Sequence, residues 1–128
     1  MPVPKGAGNF ADESSNGTVL SYIPNYIDGY SSSAPVGSFA SNDKGIYDLG
    51  GNVSEYVNDY YTIMIDSNVT YFDLIGPKKG RGHVIKGSNW KSASVTELRY
   101  AYRDQLTSGN DTTGFRIARW LVGKDKEN

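Results

Sequence analysis

Asp48 and Glu55 stand seven residues apart around a glycine turn, in the run Gly45-Ile46-Tyr47-Asp48-Leu49-Gly50-Gly51-Asn52-Val53-Ser54-Glu55-Tyr56. Gly50 and Gly51 free the backbone to bend tightly, so carboxylates and exposed carbonyls can converge on one point. That is the donor chemistry of a hard cation such as calcium, which takes its ligands from side-chain and main-chain oxygen. The same two carboxylates serve equally well as turn acids bonded to nearby backbone N–H groups, and spacing alone does not separate the two readings.

Other reactive side chains are few. The chain has no cysteine, which removes disulfides, thiolate zinc sites, thiol nucleophiles and cysteine-ligated copper. It leaves the redox compartment open. A single histidine, His83, reads as a structural residue ahead of a strand and builds no iron site by itself. Arg99, Arg103, Arg116 and Arg119 either face an anionic ligand or, in the favoured reading, pair with carboxylates such as Asp104 or Asp59 and bond loop carbonyls. No nucleophile–histidine–acid set and no phosphate loop is present.

The elements that must position these groups are short. Residues 1–8 read as a linker or boundary segment, and Asn9 to Gly37 carries turn chemistry with little periodicity. So long a structureless stretch needs an organiser, and a bound ion would serve. Ala34 to Phe39 reads as a short extended piece. Val53–Tyr61 fits helical spacing, but its β-branched and aromatic content favours a strand. His83 to Ile85 starts another strand that runs into Gly87-Ser88-Asn89-Trp90. The alternation through Leu98, Tyr100 and Tyr102 predicts a third, and Gly114 to Trp120 a last one. Ser94 to Glu97 fits a capping box. Trp90, Phe115 and Trp120 are expected in the core, and 123–128 reads as a solvated tail.

With 128 residues the chain is one domain at most, and its 13 basic and 14 acidic side chains point to no nucleic-acid or anionic-membrane surface. No stretch approaches the length of a membrane span. Ten tyrosines and 15 glycines suggest sheet and ordered loop rather than a helix bundle.

Four blocks in register resemble the C-terminal half of the formylglycine-generating enzyme (sulfatase-modifying factor) family. They are Gly8-Asn9-Phe10-Ala11-Asp12; Ala34-Pro35-Val36-Gly37-Ser38-Phe39; Gly45 through Tyr56; and Lys86-Gly87-Ser88-Asn89-Trp90 followed by Arg99, Arg103 and Gly114-Phe115-Arg116. The resemblance implies an α+β, loop-rich, elaborated C-type-lectin-like fold, with small twisted antiparallel sheets and short helices. It assigns 9–122 to the C-terminal part of such a domain. The N-terminal part typical of the family does not stand in this sequence, so the chain resembles either a half-domain of a longer parent or a truncated relative.

Two calcium sites follow from the resemblance. One uses the side chains of Asp48 and Glu55 with the backbone oxygens of Gly51 and Val53. The other uses the side chains of Asn9 and Asp28 with the backbone oxygens of Phe10 and Tyr30. In the catalytic enzyme, two cysteines after the Gly-Gly-Ser-aromatic strand bind copper(I). Here the corresponding stretch is Trp90-Lys91-Ser92-Ala93-Ser94-Val95, which offers copper no soft donor.

The expectation is therefore a non-copper relative, a calcium-stiffened domain that binds a peptide, protein or glycan on a groove near Asn89, Trp90, Arg99 and Arg103. Calcium modules of this kind lean toward an extracytoplasmic setting. Two other readings stay open. One makes the chain the substrate-binding half of a family oxidoreductase, formylglycine-generating or iron-dependent sulfoxide-synthase in type, with catalytic residues outside it. The other makes it a lectin-type display protein that varies between Lys91 and Asp111.

Overall fold

The structure is a computed structural model that describes residues 2–63 and 76–119. Its centre is a small mixed sheet of four strands, β1 (Ser54–Tyr60), β2 (His83–Lys86), β3 (Arg103–Leu106) and β4 (Thr113–Gly114), in the order β3-β2-β1-β4. β2 lies antiparallel to β1 and to β3, with Glu55 opposite Lys86 and Ile85 opposite Asp104. β4 runs parallel to β1, pairing Ser54 with Thr113. The expected all-antiparallel sheet is therefore corrected at this edge. A bulge between Tyr56 and Tyr60 shifts the β1–β2 register and lets His83 stack on both tyrosine rings, 5.1 and 4.3 Å between centroids. The ring nitrogen Nδ1 of His83 lies 2.9 Å from the Asn58 carbonyl, which accounts for this histidine structurally.

Two strand expectations change. Leu98 to Tyr102 forms turns, and β3 begins only at Arg103. The reason is the Ser94–Glu97 box, which is present: Ser94 N–H donates to Glu97 Oε2 (3.0 Å) and Glu97 N–H to Ser94 Oγ (3.3 Å). It winds the following residues into short-range bonds such as Leu98 N to Ser94 O, and no buried face rewards the alternation, since Tyr100 is 93% exposed. The last strand stops after Gly114. Phe115, expected in the core, is 77% exposed, while Trp90 is buried. Trp120 and the tail at 123–128 lie outside the described residues.

The core is unusual in kind. Phe10, Ala11, Tyr26, Ala34, Val84 and Trp90 are its buried apolar residues, yet the largest fully buried side chains are Asn9, Asp12, Ser15 and Ser54, all polar. Among the described residues the region from 9 to 37 holds only a three-residue 3-10 helix, Glu13–Ser15, so hydrogen bonds order it instead. Ala11 N–H reaches Ser92 O, Ile23 N–H reaches Ala11 O, and the Tyr26 hydroxyl donates to Gly8 O at 2.6 Å. A segment with so little helix or strand must satisfy its backbone polar groups this way.

Candidate functional site

The glycine turn and the 8–12 segment interlock. Gly51 adopts φ +86°, and a Cβ there would lie 2.7 Å from Asn9 O. A Cβ on Gly8, at φ +156°, would meet Gly50 O at 2.9 Å. Both contacts fall below any tolerable carbon–oxygen approach, so neither position accepts a side chain without movement. Asn52, also left-handed at φ +64°, uses the closeness. Its N–H donates to Asn9 O (2.7 Å), its Oδ1 accepts from Ala34 N (2.8 Å) and from Asn9 Nδ2 (3.3 Å), and its Nδ2 donates to Ala34 O (3.1 Å). Its carbonyl accepts from Trp90 N at 3.0 Å. Gly51 N–H reaches both the carbonyl and the Oγ of Ser88. Asn52 thus ties three chain segments together, and sequence reasoning passes over it although it stands inside the quoted turn.

The two acidic regions around this junction differ. In the first, Asp48 Oδ2 accepts from Gly37 N–H at 2.7 Å, and Glu55 Oε1 accepts from Arg116 Nε at 2.8 Å. Arg116 Nη2 also donates to the Tyr47 carbonyl at 2.8 Å and approaches the Asp48 carbonyl at 3.5 Å. The bond with Glu55 raises the Arg116 pKa above its ordinary value, with the charges of Glu55 and Asp48 adding to it. Asp48, Asn52, Val53, Glu55 and Arg116 share a recess of about 370 Å³.

In the second region, Asp28 Oδ2 accepts from Phe10 N–H at 3.0 Å and Oδ1 from Tyr30 N–H at 2.8 Å, which joins three of the four residues of the second set. Asp12, wholly buried, lies beside them. Its Oδ1 caps Ser14 N–H at 2.7 Å, and its Oδ2 takes a short bond from Asp28 N–H. Burial pushes the Asp28 carboxyl above its ordinary value of 3.8, and the neighbouring Asp12 adds to the rise. Among the described residues the ion pairs are Lys91–Asp111 and Arg116–Glu55, so neither Asp12 nor Asp28 has a basic partner.

Asn9, the fourth member, is wholly buried. Its Nδ2 donates to Ser32 O (2.8 Å) and Asn52 Oδ1, two acceptors that fix the orientation of the amide, yet its Oδ1 has no partner. Such an orphaned acceptor costs about 1–3 kcal/mol of desolvation. An oxygen-seeking cation would satisfy it, so the donor chemistry of this set fits calcium. Among the described residues no group of three or more His, Cys, Asp or Glu is placed to hold a metal ion. Each of the two oxygen-donor sets contains at most two carboxylates, the rest being amide and carbonyl oxygens. Sequence reasoning misses Asp12, though Asp12-Glu13-Ser14-Ser15 carries a box signature of the kind read at Ser94.

The four expected groove residues are dispersed in their roles. Asn89 spends its side chain internally, donating to Ser54 Oγ (3.0 Å) and accepting from Lys91 N (2.9 Å). Trp90 Nε1 donates to Asp111 O, with Lys91 Nζ 4.6 Å from the ring centroid. Arg103, on β3, donates to Thr62 O and lies over the Tyr61 ring rather than pairing with Asp104 or Asp59. Arg99 lines a trough of about 770 Å³ together with Phe39, Ile46, Leu49, Val95 and Leu98.

A loop-rich domain with a small mixed sheet and a polar, interlocked core is the class these features define. The Sulfatase-modifying factor enzyme 1-like domain matches residues 5–121, and the chain belongs to that family. It is 34% identical to the formylglycine-generating enzyme of Thermomonospora curvata over 98 residues, 71% of this chain and 32% of that protein. The mouse enzyme is 36% identical, again over 71% of this chain but 25% of its own length. The serine/threonine-protein kinase Pkn1 of Chlamydia trachomatis is 38% identical over 70% of this chain and 15% of its own. The chain therefore spans less than a third of each of these relatives. Among solved structures it is similar to PvdO of Pseudomonas aeruginosa (TM-score 0.58, 27% identity, 90% of this chain and 43% of that one). Treponema denticola variable protein 1 is also similar (TM-score 0.57, 27% identity, 66% and 31%). No helix among the described residues is long and apolar enough to cross a membrane.

Proposed function

We propose that this chain is a non-copper relative of the formylglycine-generating enzymes, acting as a calcium-stabilised ligand- or protein-binding domain on a C-type-lectin-like scaffold. The observation that carries the reading is the unpartnered Oδ1 of buried Asn9, whose chain neighbour Phe10 donates its N–H to Asp28. Asn9 and Asp28 side chains with the Phe10 and Tyr30 carbonyls would hold one ion. Asp48, Gly51, Val53 and Glu55 form the second proposed set, in which Arg116 already engages Glu55. Calcium supplies positive charge, which offsets the repulsion of neighbouring carboxylates and cross-links loops that have little regular secondary structure of their own. With no cysteine in the chain, copper chemistry has no ligands here.

The ligand face of this reading is the trough beside Leu49 and Leu98, mostly apolar with Arg99 and Asp48 in its wall, which suits a largely apolar peptide or protein segment. The setting is extracytoplasmic, where calcium is abundant. Metal analysis of the purified chain tests the reading. Bound calcium should be lost to chelator and recovered on readdition, with the melting temperature following it. Protein that takes up no calcium on readdition removes the reading.

A second reading draws on the identity to two formylglycine-generating enzymes: the chain is the substrate-binding half of a longer oxidoreductase whose catalytic residues lie elsewhere. Copper or iron bound by the full parent, but not by this chain, would favour it. A third, the display protein varying between Lys91 and Asp111, draws on the likeness to the Treponema variable protein.

A further inference from the structure

We infer that Arg116 is a resident cation of the Asp48–Glu55 turn, which holds this turn closed whether or not an ion occupies its other oxygens, whereas among the described residues Asn9–Asp28 has no such cation. One guanidinium reaches across the turn. Its Nε meets Glu55 Oε1 at 2.8 Å and its Nη2 meets the Tyr47 carbonyl at 2.8 Å, so a single planar fork ties the end of the turn to its start. The Asp48 carbonyl lies 3.5 Å from the same Nη2. The guanidinium thus gathers one carboxylate oxygen and a main-chain carbonyl of the turn on one positive centre with fixed geometry.

The other carboxylate of the turn takes one bond, from Gly37 N–H to Asp48 Oδ2. The Asp12–Asp28 region offers the contrast. Among the described residues no Lys or Arg pairs with either acid, and the Asn9 oxygen remains open. Arg116 is here a positioning residue, acting on the turn through Glu55 and the main chain.

This inference rests on the calcium reading only for what it says of Asn9–Asp28, and amide hydrogen exchange on the whole chain separates the two. The reporters are Gly37 N–H, bonded to Asp48, and Ser54 N–H, bonded to Thr112 O next to Glu55. In chelator, wild-type protein should keep both amides at the protection seen in calcium. Arg116→Gln in chelator should speed their exchange by about five-fold. Arg116→Lys should fall between, because one ammonium keeps the charge but cannot span Glu55 and Tyr47 together; it also serves as the test if the Gln variant does not fold. The inference is overturned if either variant leaves Gly37 and Ser54 at wild-type protection in chelator, or if the wild type loses that protection when calcium is removed. Should calcium alter no amide of the wild type, the calcium reading fails, while the variants still decide the role of Arg116.

Discussion

Two acidic loops meet at Gly51 and Asn9, and they handle negative charge in opposite ways. The Asp48–Glu55 turn receives one positive charge from within, since Arg116, 61 residues beyond Glu55 along the chain, pairs with that carboxylate. The Asp12–Asp28 loop packs two carboxylates together, one wholly buried and one half-buried, with an open amide oxygen nearby and no basic partner among the described residues. Partly exposed ion pairs such as Arg116–Glu55 contribute about 1 kcal/mol or less, so the first loop is only modestly stabilised by its pair. The second loop has no such offset, and burial works against the charge of Asp28. Equal acidity therefore does not mean equal demand for a cation; what matters is whether the fold already delivers one.

The largest effect should come from the contact that couples the loops. Gly51→Ala places a methyl 2.7 Å from Asn9 O at a left-handed φ, and should cost about 3 kcal/mol in denaturant unfolding. A loss near zero would mean that the two loops are not interlocked.

The next effect sharpens the contrast through pH. Asp28 has its carboxyl raised above 3.8, chiefly by burial. A raised folded-state value means that its stabilising contribution is fully present below 3.8 and is lost as pH rises through the folded value. In chelator, wild type should therefore lose stability relative to Asp28→Asn as pH climbs from 3.8 upward, and calcium should reverse the trend. Parallel pH profiles for the two proteins would contradict it.

The smallest effect belongs to Lys91–Asp111, the other ion pair, which joins neither loop. Its 2.7 Å contact lowers the Asp111 pKa, yet both side chains are well exposed. Lys91→Ala should leave the unfolding midpoint close to wild type, and a marked drop would mean that exposed pairs matter more in this fold than solvent screening allows.

The glycine turn around Asp48 and the absence of cysteine are local signals, read directly from the residues, whereas the Asn9–Asp28 set comes from the family resemblance and not from spacing. The strand over Val53–Tyr61 is legible from β-branched and aromatic content. Leu98 to Tyr102 misleads because alternation marks a strand only where one face is buried, and here the capping box just upstream decides the local conformation. Phe115 is assigned inward from its size alone, a rule that fails where the core is built from Asn9, Asp12, Ser15 and Ser54. Arg116 is expected to pair with some carboxylate. That the partner is Glu55 depends on the parallel β1–β4 edge, a long-range pairing that no local pattern encodes.

Calorimetric titration of calcium into chelated protein, with Asp28→Asn alongside, tests the central claim most directly. Wild type should show saturable heat at millimolar calcium or below, with a matching rise in melting temperature, and Asp28→Asn should lose most of both. Neither heat nor thermal gain in the wild type, or equal gains in the two proteins, would contradict the account.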